Sequence, residues 1–167
     1  FAQNYRDALG MFNVRGDVAW ISAVPLAPAL DRVAGALLVL GLIVWGCRLV
    51  FRRDPADAFI VIAGLIMLLP SALAIAFPVE NPSVTRASGT LPIVFLIAAW
   101  PLTLLRQHWS AAVGRAGAAL AAALIAVLLA GSGALNARTY FRQYDASYRG
   151  AALNPGEVAA ELREIVK

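Results

Sequence analysis

Apolar residues run along this chain in four long blocks, roughly Leu30 to Phe51, Ala58 to Phe77, Ser88 to Leu105 and Ala116 to Leu135, with short polar links between them. Each block is close to the ~20 residues that a helix needs to cross a bilayer. The second is the clearest. No side chain from Ala58 to Val79 ionises, and at about 1.5 Å of rise per residue that stretch reaches roughly 33 Å. The third is the shortest, with Pro92 near its start and Pro101 near its end, where a helix loses a backbone hydrogen bond and bends. The pattern predicts an all-α polytopic membrane protein with four transmembrane helices.

Ahead of the first block, Phe1, Tyr5, Ala8, Leu9 and Phe12 recur at helical spacing with Asn4, Arg6 and Asp7 between them. This predicts a helix lying in the membrane interface, ended by Gly16, Pro25 and Pro28. In the last block, Gly114, Ala118, Ala122, Ala126, Ala130 and Ala134 form a smooth face on which another helix can pack. A polar, aromatic-rich stretch, ARTYFRQYDASYRG, follows it. Then Asn154-Pro155-Gly156-Glu157 gives a helix start signal ahead of Val158, Leu162 and Ile165. The expected division is an interfacial segment over 1–29, a four-helix region over 30–135 and an outer C-terminal segment over 136–167. The chain opens on Phe1 and stops at Lys167 without a glycine cap, so it reads as a fragment whose outer soluble part continues.

Composition agrees with this class: 60% of residues are hydrophobic, 14% are charged, and the mean hydropathy is +0.72. The net charge of +4 does not point to nucleic acid, because the arginines are scattered between apolar runs instead of clustering on one face. Cys47 is the sole cysteine, which excludes an intrachain disulfide and a cysteine metal cluster. Arginine placement sets the orientation. Arg48, Arg52 and Arg53 mark one link and Arg106 and Arg115 another, whereas the loop over 78–89 holds only Arg86. The first two links are expected in the cytoplasm, and the 78–89 loop and C-terminus outside a plasma membrane. Trp45, Trp100 and Trp109 then fall at the inner interface, and Trp20, Tyr140 and Tyr144 at the outer one.

The polar loop is the best candidate site, since Glu80 and Arg86 lie close together at the membrane surface and a guanidinium suits a lipid phosphate. The alternative is that the two simply pair with each other or are solvated. Arg15 and Asp17, in an Arg-Gly-Asp tripeptide, share the outer side and are expected to face the same cavity. Asn81-Pro82-Ser83 is no glycosylation acceptor, because proline occupies its middle position. His108, the sole histidine, lacks the companions that a metal site requires. No self-contained catalytic constellation is present in the sequence.

Three stretches carry a resemblance: FNVRGDVAWISAVPLAPALD before the first span, ENPSVTRASGTLP between the second and third, and YFRQY to EVAAELREI after the last. Together they resemble the C-terminal half of bacterial glycosyltransferases of the GT-C class, relatives of the protein O-mannosyltransferases and the lipid A aminoarabinose transferases. The resemblance implies a multispan enzyme that transfers a sugar from a polyprenyl-phosphate donor to an acceptor on the outer face. In that class the catalytic carboxylate lies in an upstream outer loop, so no catalytic residue carries over to this chain. What remains is a lipid-phosphate contact at Arg86, oriented by Glu80, with Arg15 and Asp17 nearby. The implied partners are membrane lipids, the sugar-lipid donor and an N-terminal transmembrane half. No cofactor is expected in this segment, and a divalent metal is left open for the full-length enzyme. A transporter or permease subunit is the first alternative, against which stands the lack of a charged residue at the centre of any span. A non-catalytic membrane scaffold is the second.

Overall fold

A computed structural model describes residues 1–19, 21, 23–74, 81–151 and 162–165, and it is helical without a strand among them. Three helices are long and apolar enough to cross a membrane: Arg32–Phe51, Pro55–Ala72 and Ser88–Ala151.

The short α1 (Ala2–Gly10) forms where the interfacial helix is expected. Its apolar side is buried through Ala8, and the chain beyond it through Met11 and Phe12. The first long helix, α2 (Arg32–Phe51), starts one turn after Pro28, capped by Asp31, whose carboxylate accepts from the N–H groups of Val33 at 2.8 Å and Ala34 at 3.2 Å. Its far end closes on a three-residue link. Arg53 takes a left-handed backbone, φ 52°, and Asp54 caps α3 (Pro55–Met67), with Pro55 in the first turn, where its missing N–H costs nothing. Pro70 cannot donate to the ladder, and the helix breaks at Leu68 before resuming as α4 (Leu69–Ala72).

A short 3₁₀ turn, Ser88–Thr90, leads into α5 (Leu91–Arg138). Pro92 sits in the first turn, and the helix absorbs Pro101 and runs past the predicted end at Leu105. Leu102 to Val113 contains neither glycine nor proline, so nothing in the backbone stops it. Gly114 does, with φ 63° and ψ −139°, values that only glycine adopts readily. The chain doubles back there. Gly41 of α2 lies against the Ile97 carbonyl, while Asp31 lies against Ser132 and Asn136. A straight helix would carry residue 132 roughly 50 Å beyond residue 97, yet residues 31 and 41 are only about 15 Å apart along α2. Gly117 confirms the reversal, since a Cβ there would overlap the Trp109 carbonyl.

The two limbs of α5 bury different amounts. The first packs Val94, Ile97 and Ala98 onto Leu38 and Trp45 of α2, and Gly41 lets the two backbones touch. The second buries Gly117 and Ala121, not the predicted stripe, of which Ala122, Ala126, Ala130 and Ala134 are exposed. The close approach at Gly117 sets the rotation of the limb, turning that alanine face outward. Exposed Ile43, Phe59, Ile66, Val127 and Leu129 give the bundle an apolar exterior, as an embedded protein requires.

The helix also continues beyond Leu135, through a π segment with more residues per turn (Thr139–Tyr144) into α6 (Asp145–Ala151). Tyr140 stacks on Tyr144 at 5.7 Å, and the Tyr144 hydroxyl donates to the Ile21 carbonyl at 2.6 Å. The start signal at Asn154 to Glu157 lies outside the described residues.

At the opposite end, Arg48 and Asp57 form a bidentate pair, Nη2 to Oδ1 at 2.9 Å and Nε to Oδ2 at 3.1 Å. Arg48 lies over the Trp100 ring at 4.5 Å, and Trp45 donates to the Asp57 carbonyl. Trp45 is 2% exposed and meets Trp100 edge-on at 5.2 Å, so it is a core residue and not the interface ring expected from sequence.

Candidate functional site

The 23–32 segment, the 81–90 loop, the start of α5 and the end of its second limb gather at one end of the bundle, opposite the 52–54 link and Gly114. Long-range polar contacts hold them there. Asn81 donates to the Asn4 carbonyl at 3.0 Å, and Asn4 donates to the Ala72 carbonyl at 3.4 Å. The Ser71 hydroxyl donates to Asn81 Oδ1 at 3.2 Å and accepts from the Ser83 N–H at 2.9 Å. Tyr5 donates to the Leu65 carbonyl at 2.9 Å, seating α1 on α3.

Beside these contacts lies a cavity of about 580 Å³. Gln3, Arg6, Asp7 and Gly10 form one wall, at the three- and four-residue spacing of a single face of α1. Val14, Arg15 and Val18 form the second wall, and Asn81 and Pro82 the third. The side chains of Arg6, Asp7 and Arg15 are exposed and make no hydrogen bond or ion pair among the described residues. The cavity therefore offers two guanidinium forks, one carboxylate and side-chain amides. Guanidiniums bind a phosphate through paired donors, and a carboxylate accepts from hydroxyls.

The sequence-predicted residues separate in this geometry. Arg15 lines the cavity. Asp17 is 2% exposed and acts as a brace, Oδ1 accepting from the Ala19 N–H at 2.8 Å and Oδ2 from the Val84 N–H at 3.2 Å. It joins the N-terminal segment to the polar loop from the inside. Arg86 is exposed on the turn that follows, and it is not among the described residues lining this cavity. Glu80 lies outside the described residues.

Arg6, Asp7, Gln3 and Asn81 are the residues that sequence reasoning passed over. The signal was present in the polar face of α1, which repeats at helical spacing, but such a face also reads as a solvated surface. Among the described residues no group of His, Cys, Asp and Glu could hold a metal ion. His108 lies far along α5, with Nδ1 bonded to the Leu104 carbonyl at 2.8 Å.

Asp31, at the same end of the bundle, carries a perturbed carboxyl. Partial burial pushes its pKa up, but hydrogen bonds from Ser132, Ala34, Val33 and Asn136 outweigh that and hold it below the ordinary value. It remains a carboxylate and locks the second limb of α5 to the start of α2.

No protein-family model matches the chain, and neither does any curated protein or any solved structure.

Proposed function

We propose that this chain is the C-terminal part of a membrane glycosyltransferase that uses a polyprenyl-phosphate sugar, and that the cavity between α1 and the 81–82 loop holds the donor's phosphate. The observation that carries the reading is the pair of guanidiniums, Arg6 and Arg15, unpartnered among the described residues, in one cavity with Asp7 and the Asn81 amide. Two arginines meet the phosphate, while Asp7, Gln3 and Asn81 suit sugar hydroxyls. The doubled α5 makes four crossings in this reading. The arginine distribution supports an orientation with the Arg48, Arg52, Arg53, Arg106 and Arg115 end in the cytoplasm and the cavity on the outer face.

Transfer is a displacement at the anomeric carbon. The acceptor oxygen forms the new bond as the bond to the phosphate oxygen breaks, and the phosphate leaves carrying the electron pair. Arginines that bind the developing charge more tightly than the bound donor accelerate that step. The base that takes the acceptor's proton is a carboxylate of an upstream segment, and the 167 residues here contribute donor binding.

The test is sugar transfer from a radiolabelled polyprenyl-phosphate donor in membranes carrying the complete reading frame. Arg15→Gln slows transfer by about tenfold or more, the worth of one charge-assisted contact, with insertion unchanged. Arg86→Ala, outside the cavity, has the smaller effect. Transfer at the parent rate in Arg15→Gln and in Arg6→Gln contradicts the assignment.

A further inference from the structure

Two more cavities meet at the start of α2. One, of about 520 Å³, is lined by Arg32 and by Asn136, Arg138 and Gln143 from the end of α5 and the π segment. The other, of about 290 Å³, follows the side of α2 past Leu30, Ala36 and Val39. They share Pro28, Leu30, Asp31 and Arg32, so a polar mouth opens directly onto an apolar groove. Asp31 keeps its negative charge at that mouth and leaves it net positive by one against Arg32 and Arg138, but it forms no ion pair with either among the described residues. Its Oδ1 accepts from two backbone N–H groups, and its Oδ2 accepts from Ser132 at 2.6 Å and Asn136 at 2.9 Å. Arg32 and Arg138 are exposed, with side chains that make no hydrogen bond or ion pair among the described residues.

We infer that this pair of cavities binds one phosphate-bearing lipid, its headgroup between Arg32 and Arg138 and one hydrocarbon chain along Ala36 and Val39. The inference rests on α2 crossing a bilayer and is independent of sugar transfer. Free phosphate would engage the guanidiniums and leave the groove idle. A lipid without phosphate would fill the groove and leave two cations unmet. Only an amphiphile with an anionic head uses both features. The bound lipid would bridge the start of α2 to the end of α5, the same two elements that Asp31 joins.

The test is native mass spectrometry of the detergent-purified chain carrying Arg6→Gln and Arg15→Gln, which removes the other arginine-lined cavity from the measurement. Phosphatidylglycerol, polyprenyl phosphate, dioleoylglycerol and inorganic phosphate are the probes. One phosphatidylglycerol or polyprenyl phosphate is retained per chain in preference to dioleoylglycerol, and the tighter of the two identifies the source. Adding Arg32→Gln and Arg138→Gln weakens retention about a hundredfold, roughly tenfold per charge-assisted contact. Ala36→Trp, which blocks the groove and leaves both arginines in place, weakens it as well and carries the test if the glutamine variants do not fold. Unchanged retention in both sets of variants, or displacement of the lipid by millimolar inorganic phosphate, overturns the inference.

Discussion

Replacing Asp57 by alanine removes one half of the bidentate pair that closes the α2–α3 hairpin. The Asp57 side chain is 4% exposed and that of Arg48 21%, so the pair is mostly withdrawn from solvent. Breaking such a pair from one side costs about 3–5 kcal/mol, because the surviving charge stays buried without its partner. One feature places this case near about 3 kcal/mol: Arg48 keeps a partly open side through which water can reach it. Removing both charges, as Arg48→Met with Asp57→Leu, leaves no orphan and stays within about 1 kcal/mol of the parent. Unfolding equilibria in mixed micelles, followed by tryptophan fluorescence, read these differences, since Trp45 and Trp100 both border the pair. A loss below about 1 kcal/mol for Asp57→Ala, or equal losses for the single and double variants, would refute the reasoning that the pair is buried and coupled.

Two further outcomes follow from the packing. Gly41→Leu drives a side chain into the Ile97 carbonyl and costs at least about 3 kcal/mol, through overpacking that the touching backbones cannot relieve; the same micelle titration checks it. Asp31 has its pKa lowered in the folded chain, so its contribution is complete at neutral pH and is lost as pH falls through and below the ordinary carboxylate range, near pH 4. Melting curves of Asp31→Asn should show a lower midpoint at pH 7 and a shallower decline from pH 5 to pH 3 than the parent.

The helices long and apolar enough to cross a bilayer were legible because their signal is local: an uninterrupted apolar run of sufficient length is written in consecutive residues. The links were less so. His108, Trp109 and Arg115 look like a loop, yet residues 102–113 suit a helix, and the turn contracts to Gly114, whose φ no pattern reports. The alanine stripe misled for a related reason, since which face of a limb packs depends on where Gly117 meets Trp109 and not on the stripe itself. The Arg48–Asp57 pair was hidden because charges on either side of a short link read as two solvated groups until the hairpin closes. At the candidate site the sequence singled out Arg15, which lines the cavity. The rest depends on contacts such as Asn81 with Asn4, between residues far apart in the chain, that turn the polar face of α1 into a cavity wall.

The most direct test of the account is equilibrium binding of a short-chain polyprenyl-phosphate sugar to the chain in nanodiscs, in the Arg32→Gln and Arg138→Gln background that silences the second lipid site. Adding Arg6→Gln and Arg15→Gln should weaken binding about a hundredfold, two charge-assisted contacts at roughly tenfold each, with the fold intact. Binding of undiminished strength would contradict the claim that the α1 cavity holds the donor's phosphate.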